Sequence, residues 1–345
     1  MERPSLNVDK EISRHGRLIT QIFELFLNEP EKFCGLLPER KNINCTLGNL
    51  QRSKDGHFRV FVEPTQLSAA ISVHFGVTEF PHIPSMYSLE RISRHLHIPR
   101  ALIGPFGAYS LESNTLEIAH KGGWLAGALL GIPHITDSAK NSVVEIIIQS
   151  LDGTNTGTGF ISISDNRSLH IFTCKHNLIS DSGTSFLLDE VKNGSLSFEV
   201  EKVLIFDRID VAIISLALPC DILPISFSHG RILEKVVSVG YPRIHLTEAS
   251  PLLFHSGEVN GWTGSLERGS RFLVTSCDVA PGSSGGPLIN ELGLAVGIVS
   301  RRTETASQGG MANYSLAVPF EAVVHEITSK AFQMHVLSNR RFVPC

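Results

Sequence analysis

The stretch that most constrains this chain is Gly282-Ser-Ser-Gly-Gly-Pro287, set between the apolar runs Phe272-Leu-Val274 and Leu294-Ala-Val-Gly-Ile-Val299. Glycine reaches backbone angles that a Cβ forbids, so a serine framed by glycines on such a turn can be exposed and rigid together. The same turn can aim the N–H groups of Gly282 and Ser284 at one point, as an oxyanion hole requires. Ser284 is therefore the candidate nucleophile.

A lone serine is a weak nucleophile and needs a base, which in turn needs a group to orient it. The base candidate is His176 in Ile171-Phe-Thr-Cys-Lys-His-Asn177, where a strand-like run ends in a polar turn. The acid candidate is Asp210 in Val203-Leu-Ile-Phe-Asp-Arg-Ile-Asp-Val-Ala-Ile-Ile-Ser215, flanked by apolar residues that would bury it. Asp207 is its rival. The order is His, Asp, Ser, with gaps of 34 and 74 residues that leave room for a few strands each. Gly157-Thr-Gly-Phe160 precedes the histidine and can form a tight strand entry packed behind it.

Together with Asp210-Val-Ala212, Pro281-Gly-Ser-Ser-Gly-Gly-Pro-Leu288 and Tyr314-Ser-Leu-Ala-Val-Pro319, these pieces resemble the trypsin-like (chymotrypsin-fold) serine peptidases. The resemblance is closer to the bacterial-type Deg/HtrA branch than to the secreted digestive one, and it covers about the last 200 residues, a usual domain size. It implies a Ser284–His176–Asp210 triad, an oxyanion hole of the Gly282 and Ser284 N–H groups, and hydrolysis of protein or peptide substrates without cofactor or metal. Asp210, directly before Val-Ala-Ile-Ile, fits the pattern better than Asp207. Secreted relatives carry an aspartate before the serine that pairs with a newly cut N-terminus; Ser283 stands there, so that activation is not expected. No PDZ domain is expected after the peptidase, so control should come from the first 140 or so residues.

For the specificity pocket, the resemblance singles out Asp278, Ser300 and Arg302. Asp278 lies six before Ser284, where the trypsin branch selects Lys or Arg. Arg301 and Arg302 could instead neutralise it, Asn313 or Tyr314 could narrow the mouth, and Deg/HtrA relatives often accept small aliphatic side chains. Both preferences stay open.

The formal net charge is −4, so no basic excess points to nucleic acid. Of the six cysteines none falls in a Cys-x-x-Cys pair, and Asn177 and Ala280 occupy positions where secreted relatives place cysteine, which favours reduced thiols. Met1 to Arg17 is charged throughout, with no apolar core of a signal peptide. A cytoplasmic location is expected.

The fold expected is mostly β: a double-barrel peptidase domain with a C-terminal helix, after a small α or α+β N-terminal domain. The N-terminal domain is placed at 1–137 and the peptidase at 138–336, with barrels at about 142–225 and 233–319, a helix at 319–336, and a linker over 133–141. Short strand-like runs broken by Asp152-Gly-Thr-Asn155, Asp181-Ser-Gly183 and Lys192-Asn-Gly194 support the barrels. Upstream, Ile19, Ile22, Phe23 and Phe26 recur at helical spacing, and Phe58-Arg-Val-Phe-Val62 alternates like a strand.

Two upstream runs invite other functions. Residues 88–105 look at first like a helix-turn-helix, but the second helix would have only a few residues between Pro99 and Gly104-Pro105, which favours a plain helix and turn. His95 and His97, two apart, would face different sides of a helix and cannot share a metal. Trp124 to Ile132 is apolar but far short of the roughly twenty residues a membrane span needs, so no membrane partner is expected. Gly123, Gly127 and Gly131, every fourth position, would leave one side of a helix bare there. The readings carried forward are a serine endopeptidase whose N-terminal domain controls access or recruits a partner, a peptidase-like sensor or binding module, and a DNA-binding regulator.

Overall fold

In the computed structural model the chain divides into two compact units, Met1–Asp137 and Ser138–Cys345. The structure describes residues 8–38, 40–42, 45–47, 50–101, 107–150, 153–163, 168–179, 186–216, 222–244, 247, 249–264, 271–302, 314–329, 332–338 and 341–344.

The first unit is α+β. Its elements are α1 (Val8–Asn28), α2 (Pro30–Leu36), β1 (Arg40–Asn42), β2 (Cys45–Leu47), β3 (Gln51–Arg52), β4 (Phe58–Val62), α3 (Pro64–Phe75), α4 (His82–His95), β5 (Arg100–Ala101), β6 (Ala108–Glu112), α5 (Ser113–Lys121) and α6 (Leu125–Leu130). α7 (Ile132–Ser142) runs across the division. Helix α1 buries Ile12, Ile19, Ile22, Phe23 and Phe26, one stripe at helical spacing. α3 has Pro64 in its first turn, a capping box between Glu63 and Gln66, and Gly76 at φ 65° past its end.

The structure bears on three upstream readings. After α4 the chain turns through His97 at φ 53°, and Arg100–Ala101 pairs with β6. The second helix of a DNA-reading pair is therefore not formed there. Gly123 and Gly131 have φ of 73° and 65°, so they bracket α6 instead of lining one side of it. The expected linker is the helix α7: Pro133 sits in its first turn, where a missing N–H breaks no bond, and Ile135 and Ala139 are buried.

The second unit is mostly β. It contains β7 (Val143–Ser150), β8 (Gly153–Ile163), β9 (Leu169–Thr173), β10 (Leu187–Asn193), β11 (Leu196–Ser197), β12 (Val200–Phe206), β13 (Ala212–Leu216), β14 (Lys235–Gly240), β15 (Leu253–Gly264), β16 (Arg271–Thr275), β17 (Pro287–Asn290), β18 (Ala295–Arg302), β19 (Ser315–Pro319), α8 (Phe320–Ser329), β20 (Phe332–Ser338) and β21 (Arg341–Pro344). β14–β19 close a barrel in the order β14-β15-β16-β19-β18-β17. Val236, Val259, Leu273, Leu288 and Val299 are in its core. β7–β13, with β20 and β21 returning from after the barrel, form a nine-stranded antiparallel sheet, β11-β10-β7-β8-β9-β13-β12-β20-β21. Val144, Ile161, Ile171, Val191, Val203 and Ile214, from six of its strands, share one buried cluster, so that sheet curls on itself.

The C-terminal helix is shorter than expected: it stops at Ser329, and Phe332 onward is strand. β20 pairs with β12 from Lys202↔Val336 to Phe206↔Phe332, satisfying backbone groups that a helix would leave open on that edge. Phe332 meets Phe206 at 6.0 Å between ring centroids, and Gln333 Nε2 donates to Asp207 Oδ1 at 3.0 Å.

Candidate active site

Ser284 lies on the turn between β16 and β17. Gly282 and Gly285 take φ of 99° and 91°. A Cβ on Gly285 would lie 2.0 Å from the Thr158 carbonyl oxygen, and one on Gly282 2.6 Å from that of Tyr241. Conformation and space both demand glycine at these two positions. The Pro281 carbonyl accepts the Arg243 N–H at 3.0 Å, and the Ser283 carbonyl accepts that of Gly286 at 3.1 Å. Because a trans peptide points its N–H opposite its C=O, these bonds also direct the N–H groups of Gly282 and Ser284. Among the described residues neither N–H donates to a backbone carbonyl in the turn.

His176 sits in a single 3₁₀ turn, Lys175–Asn177, after β9; Asp210 sits in the turn between β12 and β13. His176 donates its backbone N–H to Asp210 Oδ1 at 3.1 Å, and its Nδ1 lies 2.7 Å from Oδ2. The Ser300 hydroxyl donates to the same Oδ2 at 2.7 Å. Burial pushes the Asp210 carboxyl upward, but hydrogen bonding and charge from the His176 ring, the Ser300 hydroxyl and the His176 N–H outweigh it and hold the group well below the usual carboxylate range. An ionised carboxylate only accepts, so Nδ1 carries a proton, and in the neutral imidazole Nε2 is left as the acceptor. The Asp210 side chain is 7% exposed and the His176 side chain 32%, a buried orienting group behind an accessible base.

The Ser284 hydroxyl donates to the Ser300 carbonyl at 2.8 Å and, among the described residues, is not hydrogen-bonded to His176. Ser300 therefore joins the two halves of the site: its carbonyl holds the serine, its hydroxyl the aspartate. Singled out for substrate contact, it commits its hydroxyl to Asp210. Asp207 is exposed and takes its bond from Gln333. Asp278 and Arg301 are exposed and Tyr314 is partly so. Asn313 and the Arg302 side chain lie outside the described residues.

The supports behind the site are Thr158, within the Gly157-Thr-Gly-Phe160 run expected there, and Asn177, to which sequence reasoning assigned no role. Thr158 donates its N–H to the Ser284 carbonyl at 2.9 Å and its hydroxyl to the Gly282 carbonyl at 2.7 Å. Asn177 Nδ2 also donates to the Ser284 carbonyl, at 2.8 Å. The one available signal was a polar residue between His176 and the apolar Leu178-Ile179.

Cys174, His176 and Asp210 present potential metal-ligand atoms within 4.8 Å of one another. The carboxylate is already engaged by His176 and Ser300, and the Cys174 thiol, pushed well above its ordinary value by burial and then by the Asp210 charge, donates to the Val299 carbonyl at 3.1 Å. Such a donor set suits an oriented imidazole better than a cation. In the first unit a cavity of about 380 Å³ is lined by residues including Arg52, His57, Arg59 and Glu112. Arg59 is paired with Glu112 and Arg52 with Glu31, so its arginines are already neutralised.

Residues 157–298 match the family model of the trypsin-like peptidase domain. A 74-residue stretch is 39% identical to the uncharacterized protein y4bJ of Sinorhizobium fredii, covering 21% of this chain and 11% of that protein. The chain thus spans about a tenth of the curated relative it matches. Among solved structures, the active form of the Rv3671c protease of M. tuberculosis is 22% identical with a TM-score of 0.43, over 56% of this chain and 82% of that one. The HtrA-type protease AlgW with a tripeptide is 15% identical with a TM-score of 0.44, over 57% and 62%. No described helix is long and apolar enough to cross a membrane.

Proposed function

We propose that the trypsin-like peptidase domain matched at residues 157–298 cleaves protein or peptide substrates by a Ser284–His176–Asp210 triad. The observation that carries this is His176 held on the buried Asp210 carboxylate by its ring Nδ1 at 2.7 Å and its backbone N–H at 3.1 Å. When substrate enters, the Ser284 hydroxyl leaves the Ser300 carbonyl and turns to His176 Nε2, which takes its proton as Oγ attacks the scissile carbonyl. The oxyanion formed is met by the Gly282 and Ser284 N–H groups. His176 then gives the proton to the leaving amine, and water attacks the acyl-enzyme by the same route. Asp210 fixes the tautomer and offsets the imidazolium charge.

The reading extends to the setting and to the first unit. Cys34, Cys174 and Cys277 are free thiols, which supports a reducing, cytoplasmic setting. Residues 1–137 would control access to the site or recruit a regulatory protein. A fluorophosphonate probe tests the core of the proposal: the natural chain should be labelled, and Ser284→Ala and His176→Ala should not. Labelling that survives Ser284→Ala would reject the assignment. The same labelling, with equal rate and substrate range in a chain lacking residues 1–137, would remove the first unit from the account.

A further inference from the structure

We infer that Asn177 is a positioning residue that sets the distance between base and nucleophile, an inference that rests on the function proposed above. Asn177 is 6% exposed, and its amide commits both hydrogens: one to Thr173 Oγ1 at 3.0 Å, the other to the Ser284 carbonyl at 2.8 Å. The same carbonyl accepts the Thr158 N–H at 2.9 Å, while the next N–H, of Gly285, donates to the Val299 carbonyl at 2.7 Å. The peptide plane leaving Ser284 is thus fixed at both ends. With that plane fixed, the ψ angle of Ser284 is fixed, and with it the direction in which its Cβ leaves the backbone.

Three of those four groups belong to β-strands or to the serine turn. Asn177 alone is covalently next to His176, so its bond to Ser284 joins the base-bearing turn directly to the nucleophile-bearing turn, 107 residues away in sequence. The network closes behind it, because Thr173 Oγ1 donates to the Thr158 carbonyl at 2.6 Å.

The sequence makes room for this bond at Gly157. A Cβ there would lie 2.5 Å from Asn177 Cγ and 2.6 Å from its Nδ2. Gly157 lies within β8, paired with Ile146 of β7, where an ordinary strand residue would otherwise serve. Its missing side chain is the space Asn177 occupies, so the two positions act as one device.

A double-substitution cycle on the full chain tests this, with kcat counted per fluorophosphonate-titrated site and folding followed by thermal melting. Misplacing a reacting group by about 1 Å costs on the order of 10²-fold in rate. Asn177→Ala and Gly157→Ala are therefore each expected to lower kcat, and the rate of fluorophosphonate labelling, by about that factor with KM little changed. The double variant should be no slower than Asn177→Ala alone, because Gly157→Ala acts only by displacing the amide. If Asn177→Ala does not fold, Gly157→Ala carries the test, since it keeps the amide but shifts it. Wild-type kcat per site in either folded variant, or losses that multiply in the double variant, overturn the inference. So does failure of both variants to fold, which would make the bond purely structural. A natural chain that is not labelled at all overturns the peptidase reading and this inference with it; a labelled natural chain with unaffected variants overturns this inference alone.

Discussion

The two turns that meet at the site are held by opposite means. His176 is held by side chains: the Asp210 carboxylate takes its backbone N–H and its ring, and the Ser300 hydroxyl steadies the carboxylate in turn. Ser284 is held mainly by backbone, through glycines at positive φ and carbonyls pinned by N–H groups of Arg243, Gly286 and Thr158, to which the Asn177 amide and the Thr158 hydroxyl add the side-chain bonds. A turn anchored by side chains can lose its chemistry and keep its fold. A turn anchored by backbone has few side chains to lose, and it fails when volume is added.

The largest effect should come from the side-chain half. Asp210→Asn keeps the shape but presents an amide to the ring, which favours the wrong imidazole tautomer; turnover should fall by about four orders of magnitude. Thermal melting should move far less than a loss of that size suggests. Steady-state kinetics and melting on one preparation would check both. A fall in turnover of less than about tenfold would break the comparison, because the base would then owe its orientation to something other than Asp210.

The backbone half should respond in stability. Gly285→Ala forces a side chain into φ 91° and puts its Cβ 2.0 Å from the Thr158 carbonyl oxygen. Left-handed backbone costs about 1–2 kcal/mol and overpacking about 1–3, so a loss of about 3 kcal/mol is expected. Gly153→Ala sharpens the point: φ there is 117°, but beyond its two chain neighbours nothing lies within 4 Å of the added Cβ. It should cost only the conformational part, about 1–2 kcal/mol. Urea midpoints for the two variants separate strain from collision. Equal losses would mean that space at Gly285 is not what the glycine supplies.

The same contrast explains what the sequence disclosed. Ser284, His176 and Asp210 could be picked out because activating a hydroxyl needs those residue types, and glycine punctuation is visible wherever the backbone must bend sharply. The short runs of β7–β19 were legible from alternation and turn residues. What escaped were features settled by tertiary partners. Asn177 reads as an ordinary polar turn residue until the Ser284 carbonyl is seen beside it. Phe332-Gln-Met-His-Val336 fits a helix until the open edge of β12 offers it hydrogen bonds, and residues 133–141 read as a linker because Pro133 masks the buried pair Ile135 and Ala139. Ser300 was noticed as a possible pocket residue, and only its neighbours show that its hydroxyl serves the acid.

Ser300→Ala asks how far the side-chain half is itself layered. The variant removes one of the bonds that hold the Asp210 carboxyl below its ordinary range and leaves both bonds to His176 in place. A hydrogen bond to a charged group contributes about 1.5–3 kcal/mol, and because two partners remain, a loss near 1.5 kcal/mol at neutral pH is expected. The sign of its pH dependence follows from linkage. A carboxyl whose folded pKa is depressed stabilises the fold above its unfolded value, near 4, and that stabilisation is lost as pH falls toward the folded value. Without the Ser300 hydroxyl the folded pKa rises toward the unfolded one, so the variant should lose less stability than the natural chain between pH 7 and about pH 1.5, the gap opening well below the unfolded value. Urea midpoints at the two pH values read this difference directly. Parallel losses would mean that His176 alone fixes the state of Asp210, and the side-chain half would then rest on a single pair.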